Sequence, residues 1–265
     1  MPVTLKTLLK KKREGKKISM VSTYDYWSAK LCDAVGIDCI LVGDSLGTVI
    51  KGEVDTLSVT LEEIIYHTKC VMRGVKEAFV IADMPFMSYQ VSIEKAIENC
   101  GRVIKETKAK AVKLEGGSEI AELVYKLTRV GIPVVGHIGF TPQSINVFGK
   151  PKVVGKSEEE IKKLREDFKV LEEAGAFMIV LESVPTKVAK ELWENSRCVV
   201  IGIGAGKYTD GQVLVFHDIV GLFEDFKPKF VRRYLEGAKL IKEALENFKI
   251  DIERGDFPSE EESYG

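Results

Sequence analysis

The sequence predicts an α/β protein of the (β/α)8 TIM-barrel class, and three observations favour that fold. Short apolar runs rich in β-branched residues recur eight times, and a segment with helical periodicity follows most of them. The alternation continues without a linker or a shift in composition. The length of 265 residues suits a single closed barrel. An open doubly wound sheet usually has fewer strands and a glycine-rich first turn, so we expect the closed barrel.

The predicted strands are almost continuously hydrophobic, as expected of parallel strands covered on both faces. They span residues 18–22, 39–43, 79–82, 111–114, 133–136, 177–181, 199–203 and 213–216. Between them, Thr60 with Glu63 and Ser157 with Glu160 fit the capping box, in which a hydroxyl and a carboxylate satisfy free amide donors at a helix start. We therefore predict helices that begin at these positions and pack on the sheet.

The two ends of the chain are expected to extend the barrel. Residues 5–13 are predicted to form a helix that closes the barrel floor, and residues 228–248 a long closing helix. We assign residues 1–250 to one catalytic barrel domain. Residues 251–265 are expected to form an acidic, loosely ordered tail.

Charge balance and cysteine usage exclude several classes of protein. The 39 Lys and Arg residues nearly cancel the 40 Asp and Glu residues, so no overall basic field would attract nucleic acid or anionic lipid. The five cysteines show no CxxC spacing and lie among apolar neighbours, which is typical of reduced core thiols. No apolar run approaches the ~20 residues that span a bilayer, and the first residues do not resemble a signal peptide. We expect a cytoplasmic protein that acts on small molecules.

Acidic residues stand at the ends of three consecutive predicted strands. Asp44, Asp83 and Glu115 follow the second, third and fourth strands, and barrel enzymes place their reacting groups at the carboxyl ends of strands. A single aspartate at such a turn is more often a helix cap. Three carboxylates together would repel one another unless a cation neutralised them. Oxygen ligands without a histidine or cysteine cluster favour a hard divalent cation, Mg²⁺ before Mn²⁺.

Three further polar residues at strand ends have two interpretations each. Glu182 ends the sixth strand and is either a general base or the cap of a helix that starts near Pro185. Lys113 points to the same side of its strand as Glu115, and it either binds a substrate carboxylate or forms a structural salt bridge. His137 lies among glycines, where it either reaches a ligand or is a satisfied core histidine.

Two glycine-containing segments at the same end of the barrel are less informative. Residues 202–206, with the sequence GIGAG, form either a phosphate-cradling loop or a tight turn. Residues 139–157 are too polar for the core, and loops of this length are commonly lids or binding loops.

Several sequence blocks, in one order, resemble the ketopantoate hydroxymethyltransferase family almost from end to end. The blocks are Thr23-Tyr24-Asp25-Tyr26, Val42-Gly43-Asp44-Ser45-Leu46-Gly47, Ala82-Asp83-Met84-Pro85-Phe86, Lys113-Leu114-Glu115-Gly116-Gly117, Gly136-His137-Ile138-Gly139 with Phe140-Thr141-Pro142-Gln143, Leu181-Glu182, and Ile201-Gly202-Ile203-Gly204-Ala205-Gly206 through Asp210-Gly211-Gln212-Val213. The resemblance implies a TIM barrel of the phosphoenolpyruvate/pyruvate type and an enzyme of pantothenate biosynthesis. It also implies transfer of a hydroxymethyl group from 5,10-methylenetetrahydrofolate to 3-methyl-2-oxobutanoate, with one Mg²⁺ per subunit.

The resemblance further implies roles for individual residues. The residues implied at the metal are Asp44, Asp83 and Glu115, the last either directly or through water. The residues implied at the substrate are Asp44, Ser45, Asp83, Lys113 and His137. Glu182 is the implied proton acceptor. The glycine-rich turn at residues 202–206 then becomes part of the framework, because the substrate carries no phosphate.

The resemblance also implies a homo-oligomer, because the family commonly forms decamers.

Two alternative functions remain beside the one that the resemblance implies. One is another Mg²⁺-dependent enzyme of the same barrel type, a lyase that cleaves a carbon–carbon bond in a 2-oxo acid. A diacid substrate would require an arginine cluster near the barrel mouth, whereas Arg102, Arg129 and Arg165 lie on predicted helices. The other is a non-catalytic barrel, which would more naturally have lost one of the carboxylates.

Overall fold

Each of the eight predicted apolar runs forms a strand in the computed structural model, which describes residues 1–224 and 227–265. The strands are β1 Ile18–Ser22, β2 Cys39–Val42, β3 Phe79–Asp83, β4 Ala111–Glu115, β5 Val134–Gly139, β6 Met178–Glu182, β7 Val199–Ile203 and β8 Gly211–Val215. Strands that are neighbours in the chain pair in parallel, and β1 pairs with β8. The predicted closed (β/α)8 barrel is therefore confirmed.

Helices alternate with these strands, as predicted. They are α1 Leu5–Arg13, α2 Tyr26–Ala34, α3 Leu46–Val49, α4 Leu61–Gly74, α5 Ile93–Thr107, α6 Ala121–Arg129, α7 Ile145–Phe148, α8 Glu158–Glu173, α9 Thr186–Glu194, α10 Phe216–Ile219 and α11 Gly237–Arg254. Short 3-10 turns span Ser118–Ile120, Pro142–Ser144 and Glu260–Glu262. The chain forms two compact units, Met1–Val215, which contains the barrel, and Phe216–Gly265.

Two strands extend beyond their predicted bounds by more than one residue. The apolar run predicts an end at residue 136, but β5 continues to Gly139 because residues such as His137 go on pairing with β6. β8 begins at Gly211, before its predicted start, and pairs there with β1. A Cβ at Gly211 would collide with the carbonyl oxygen of Ile18. Glycine therefore allows the close approach of β1 and β8 that closes the barrel.

The N-terminal helix closes the floor of the barrel, as predicted. Thr4 begins α1, since its hydroxyl accepts a hydrogen bond from the N–H group of Thr7. Leu8 of α1 is fully buried in the core cluster, whose other members are Ile18, Met20, Cys39, Leu41, Phe79, Ile81, Ala111, Val135, Phe177, Met178, Val180, Val199, Ile201 and Val213. The Nζ atom of Lys12 also lies 2.9 Å from Oδ2 of Asp210, just before β8. Apolar burial and this ion pair together fix α1 beneath the strands.

The two capping signals mark helix starts, but their hydrogen bonds differ. At α4, Thr60 and Glu63 form the reciprocal capping box. At α8, the hydroxyl of Ser157 accepts the N–H of Glu160, as the motif predicts. The carboxylate of Glu160 instead accepts two N–H groups of the preceding loop. In a full capping box the Glu160 carboxylate would accept the N–H group of Ser157, but here it binds the loop instead.

The unit Phe216–Gly265 contains a helix that starts later than predicted. α11 begins at Gly237, whereas the sequence pattern predicts a helix over 228–248. The N–H group of Tyr234 donates to the carbonyl oxygen of Ile219, a bond that a helix starting at residue 228 would not make. The predicted domain boundary at residue 250 consequently falls inside α11.

The acidic segment 251–265 is more regular than its composition suggests. α11 continues into it, and the ring of Phe257 lies 5.4 Å from that of Phe248 in an edge-on arrangement. Ser259 and Glu262 form a capping box around the last 3-10 turn. These local contacts give order to a segment that charge alone predicts to be loose.

The structure agrees with two composition-based expectations. Within the described ranges, no helix has the length and hydropathy needed to cross a bilayer. All five cysteines are free thiols, and four of them are buried: Cys32, Cys39, Cys100 and Cys198.

Candidate active site

The three carboxylates implied at the metal meet at the carboxyl end of the barrel. Asp44 follows β2, Asp83 ends β3, Glu115 ends β4, and all three are buried. One ligand oxygen from each lies within 4.8 Å of the other two. Because β2, β3 and β4 are adjacent in the barrel, their ends bring together residues that are distant in the sequence.

Local backbone geometry holds Asp44 beside Asp83. The N–H group of Asp44 donates to Oδ2 of Asp83 at 3.1 Å. A Cβ on the preceding residue, Gly43, would lie 2.9 Å from Oγ of Ser45 and 3.1 Å from Oγ of Ser22. Glycine at this position keeps the space between the strand ends open.

Lys113 lies within the carboxylate cluster. Its Nζ atom is 2.8 Å from Oδ1 of Asp83 and 3.3 Å from Oε1 of Glu115. Burial opposes the charge on this ammonium group, but the carboxylates of Asp83, Glu115 and Asp44 outweigh it and raise the pKa of Lys113. Lys113 therefore forms the salt bridge and stays cationic at the centre of the site.

Burial and neighbouring charges give the three carboxylates different pKa values. Burial, followed by the charges of Asp83 and Glu115, raises the pKa of Asp44 well above its usual value. Burial also raises the pKa of Asp83, although Lys113 opposes the shift. For Glu115, Lys113 and His137 outweigh burial and lower the pKa to about 2. Negative charge is thus crowded most severely around the two aspartates.

The donor set fits a hard divalent cation. Asp44, Asp83 and Glu115 offer oxygen atoms alone, which Mg²⁺ prefers over nitrogen or sulfur. A cation between them would also remove the repulsion that raises the pKa of Asp44. A magnesium ion held by a few carboxylates keeps coordination positions for water or a substrate.

His137 links the carboxylate cluster to Glu182. Its Nδ1 atom lies 3.3 Å from Oε1 of Glu115 and 3.2 Å from Nζ of Lys113, and its Nε2 atom lies 3.2 Å from Oε2 of Glu182. Burial and Lys113 oppose protonation of the ring, but Glu115 and Glu182 outweigh them and raise the pKa of His137 to about 9. The imidazole is therefore held between two carboxylates on opposite sides of its ring.

Glu182 does not cap the helix that follows it. No side-chain hydrogen bond caps the start of α9, and the carboxylate of Glu182 lies against His137 instead. Its side chain is 16% exposed, compared with 1% for Asp83 and 3% for Glu115. The next residue, Ser183, has a left-handed backbone with φ of 51°. Residues other than glycine rarely adopt this conformation, and those that do tend to lie at functional sites. Glu182 is thus the most accessible of these three acidic groups.

Ser45 belongs to a group of hydroxyl side chains next to the carboxylates. Its Oγ atom lies 2.7 Å from the hydroxyl of Tyr24, which also accepts a hydrogen bond from Oγ of Ser22 at 3.3 Å. Nδ1 of His67, on α4, lies 2.8 Å from the carbonyl oxygen of Tyr24. The end of β1 and the start of α3 are joined through these contacts.

Sequence reasoning assigns no role to two buried residues beside the carboxylates, Gln143 and Tyr89. Nε2 of Gln143 donates to Oδ2 of Asp44 at 3.0 Å, and the N–H group of Gln143 donates to Oε2 of Glu115 at 3.0 Å. The hydroxyl of Tyr89 lies 2.8 Å from Oε1 of Gln143. The sequence feature that could have indicated Gln143 is its place at the end of one of the family-like blocks. Its hydrogen-bond partners are visible only in the tertiary structure.

The two glycine-containing segments have structural contacts of their own. The segment 139–157 contains a 3-10 turn and α7, and the N–H of Val154 donates to the carbonyl of Ser183. After β7, Nε2 of Gln212 donates to the carbonyl oxygen of Gly206 at 2.9 Å. This bond supports the framework interpretation of the glycine-rich turn, while a lid function for 139–157 stays a prediction.

The arginines weighed for a diacid substrate lie on the outer helices. Arg102 forms a paired contact with Glu62, at 3.0 and 3.1 Å, and Arg165 forms one with Glu191, at 2.6 and 2.8 Å. Arg129 is the last residue of α6. None of these three arginines joins the carboxylate cluster, so they give no support to the lyase alternative.

The chain is similar over its whole length to proteins of one family. A family model described as ketopantoate hydroxymethyltransferase matches residues 2–260. A 3-methyl-2-oxobutanoate hydroxymethyltransferase from Aquifex aeolicus (strain VF5) is 86% identical over 265 residues, which is 100% of both chains. Proteins of the same name from Clostridium beijerinckii and Caldicellulosiruptor saccharolyticus are each 51% identical, covering 100% and 99% of this chain and 96% and 99% of the relatives.

Solved structures of more distant proteins share the fold. A phosphonopyruvate hydrolase in complex with oxalate and Mg²⁺ has a TM-score of 0.64 at 12% identity, covering 99% of this chain and 93% of that chain. A 2,3-dimethylmalate lyase, a member of the PEP mutase/isocitrate lyase superfamily, has a TM-score of 0.63 at 15% identity, covering 95% and 89%. This likeness shows the (β/α)8 TIM-barrel fold. Together with the full-length sequence matches, it leads to the conclusion that the chain is an enzyme of the ketopantoate hydroxymethyltransferase family.

Proposed function

We propose that this enzyme transfers a hydroxymethyl group from 5,10-methylenetetrahydrofolate to 3-methyl-2-oxobutanoate, with one Mg²⁺ per subunit, to form 2-dehydropantoate (ketopantoate) for pantothenate synthesis in the cytoplasm. The observation that carries the proposal is the buried carboxylate cluster, which His137 joins to the more accessible Glu182. Removal of a proton next to a keto group requires both a site that stabilises the enolate and a separate base. The name of the 86% identical relative supports the same oxo-acid substrate.

The metal would be held by the strand ends of β2, β3 and β4. Asp44 and Asp83 would bind it directly, and Glu115 would support it directly or through water. When bound, Mg²⁺ supplies a Lewis acid that stabilises negative charge on the keto oxygen of the substrate. The residue roles follow from the family resemblance and from the close approach of the three carboxylates.

The oxo acid would be bound by groups around this metal site. Lys113 carries the positive charge that the substrate carboxylate needs, and its pKa is raised, so it stays protonated at neutral pH. The hydroxyl of Ser45, held by Tyr24 at 2.7 Å, would donate to an oxygen of the same acid. His137 would line the site between these groups and the base.

Glu182 would accept the C3 proton of 3-methyl-2-oxobutanoate. Nε2 of His137 lies 3.2 Å from Oε2 of Glu182, and Oε1 would then be the oxygen that accepts the proton. The C3–H bond breaks, and its electron pair forms a bond to the methylene carbon of the folate. One carbon–nitrogen bond from that carbon to the folate breaks as the carbon–carbon bond forms, and water then displaces the second nitrogen and supplies the hydroxyl group. The proton taken from C3 and the proton released by water pass to the two folate nitrogens, and tetrahydrofolate leaves.

The proposal is tested by incubating the purified protein with 3-methyl-2-oxobutanoate, methylenetetrahydrofolate and Mg²⁺ and measuring ketopantoate by mass spectrometry. We expect product in the complete mixture, and we expect loss of product when EDTA removes the metal or when the folate is omitted. Product that persists in EDTA would contradict the metal requirement. Absence of product in the complete mixture, from folded protein, would contradict the transferase activity and favour a lyase or a non-catalytic barrel.

A further inference from the structure

We propose that Gln143 is a positioning residue that fixes the carboxylates of Asp44 and Glu115 for the metal ion. The inference rests on the metal site of the proposed function and adds to it a residue outside the implied ligand and substrate sets. Gln143 is 5% exposed and lies in the 3-10 turn Pro142–Ser144, which begins three residues after the end of β5.

Gln143 reaches across the carboxyl end of the barrel to three other strand ends. Its Nε2 atom donates to Oδ2 of Asp44, after β2, at 3.0 Å and to the carbonyl oxygen of Met84, after β3, at 2.9 Å. Its backbone N–H donates to Oε2 of Glu115, at the end of β4, at 3.0 Å. One residue of the loop after β5 therefore contacts two of the three carboxylates and the strand between them.

Tyr89 fixes the direction in which the Gln143 amide points. The hydroxyl of Tyr89 accepts the N–H group of Glu115 at 3.2 Å, and it lies 2.8 Å from Oε1 of Gln143, closer than to the carbonyl oxygen of Glu115 at 3.0 Å. A hydroxyl in this position directs its hydrogen to Oε1, so that oxygen is an acceptor. The two N–H groups of the amide must then point to Asp44 and Met84.

This arrangement restricts how Asp44 presents its oxygens. Asp44 is surrounded by Asp83 and Glu115, and the amide of Gln143 supplies a neutral donor to one defined oxygen, Oδ2. A carboxylate held at one oxygen keeps a fixed orientation for the other, which lowers the entropic cost of metal binding. Loss of such a partner typically weakens metal affinity about 10- to 100-fold.

The test is calorimetric titration of MgCl₂ into the full-length, EDTA-treated protein without substrates, comparing wild type with Gln143→Leu and Gln143→Asn. Leucine removes the donor, and asparagine keeps the amide but is too short to span Tyr89 and Asp44. We expect the Kd for Mg²⁺ to rise about 10- to 100-fold in both variants. The matched control is Gln90→Leu, because Gln90 is exposed and reaches Gln143 only at 3.4 Å. Its Kd should stay within about twofold of wild type.

Two further readouts separate positioning from a purely structural role. Each variant should stay folded in EDTA and unfold in a single thermal transition, at a midpoint lowered by the loss of the buried Gln143 bonds. The Mg²⁺ concentration for half-maximal activity should rise, while kcat at saturating Mg²⁺ changes much less. A wild-type Kd in folded Gln143→Leu would overturn this inference alone, and unfolding of both variants in EDTA would replace it by a structural role. If the wild type itself binds no Mg²⁺, the metal site of the proposed function fails as well.

Discussion

Glu115 and Glu182 are both glutamates at strand ends, but their surroundings assign them different tasks. Burial opposes ionisation of Glu115, yet Lys113 and His137 lower its pKa to about 2. A carboxylate held this firmly in its ionised form is a poor proton acceptor. Glu182 ends β6 away from Lys113, is the more exposed of the two, and contacts the far nitrogen of the histidine ring. These differences favour Glu182 as the base and Glu115 as support for the metal.

Replacement of Glu182 by glutamine should slow proton removal strongly while leaving the metal site intact. We expect exchange of the C3 hydrogen of 3-methyl-2-oxobutanoate, followed by proton NMR in deuterated water with Mg²⁺, to slow by about a hundredfold or more. The matched control is Glu194→Gln, at the surface end of α9, which should exchange at the wild-type rate. Equal exchange rates in Glu182→Gln and wild type would remove Glu182 from the role of base.

The hydrogen bonds of Asp33, at the outside of the barrel, predict how the stability of the protein depends on pH. Its carboxylate accepts the N–H groups of Lys76, Glu77 and Ala78, at 3.0, 2.9 and 2.8 Å. Burial works against the ionised form, but these three bonds lower the pKa of Asp33 below its usual value. Its contribution to stability is therefore fully present above the ordinary aspartate pKa of about 3.9 and disappears as the pH falls through the lower folded-state pKa.

Replacement of Asp33 by alanine should leave these three N–H groups without their acceptor. We expect the free energy of unfolding at pH 7 to fall by about 1–3 kcal/mol in urea titrations. Asp33→Asn, which keeps one acceptor oxygen, should lose less. The difference between wild type and Asp33→Ala should shrink as the pH is lowered below 4, and a difference that grows at low pH would contradict the assignment.

At the scale of the elements, the pairing of β8 with β1 converts a sheet into a closed barrel. The two strands pair along five residue positions, from the pair Ile18 and Gly211 onward. Closure removes the free edges of the sheet and gathers all the strand ends into one ring. The carboxylate cluster therefore depends on how closely the strands pack as well as on its own residues.

Substitution of Gly211 by alanine should destabilise this seam. The added Cβ would meet the carbonyl oxygen of Ile18, and overpacking of this kind typically costs about 1–3 kcal/mol or more. The matched control is Gly101→Ala in α5, where an added Cβ meets nothing within 4 Å. Alanine in a helix interior should stabilise the protein by about 0.5–1 kcal/mol. Urea unfolding of both variants measures the two effects, and equal shifts would refute the argument from close packing.

At the scale of the whole molecule, the surface suggests contacts between copies of the chain. Trp27 and Leu31 on α2 and Val35 at its C-cap recur at four-residue intervals and are 66%, 58% and 77% exposed. Such a stripe of large apolar side chains is unusual for a protein that stays monomeric. It agrees with the homo-oligomer that the family resemblance implies.

The oligomeric state can be measured directly. We predict that native mass spectrometry will show an assembly of ten 29.5 kDa chains. Sedimentation analysis at several protein concentrations provides the control against non-specific association, since a closed ring keeps one mass on dilution. A single species at the mass of one chain would contradict the prediction.

The sequence by itself determined the barrel and the acidic residues at its mouth. Eight apolar runs alternating with helical segments suffice for a (β/α)8 barrel, because buried parallel strands need apolar residues on both faces. The same topology places Asp44, Asp83 and Glu115 at one end, so their proximity was predictable. The late start of α11 could not be predicted, because the hydrogen bond from the N–H group of Tyr234 to the carbonyl oxygen of Ile219 overrides the local helical pattern.

The tertiary structure alone decided how the site residues are connected. It showed that Glu182 contacts His137 rather than capping α9. It also placed Lys113 between two carboxylates and added Gln143 and Tyr89 to the site. The bond from Gln143 to Asp44 joins residues that are 99 positions apart in the sequence. Periodicity and capping motifs report interactions between near neighbours in the chain, whereas such a bond depends on the stagger of the strands and the path of each loop.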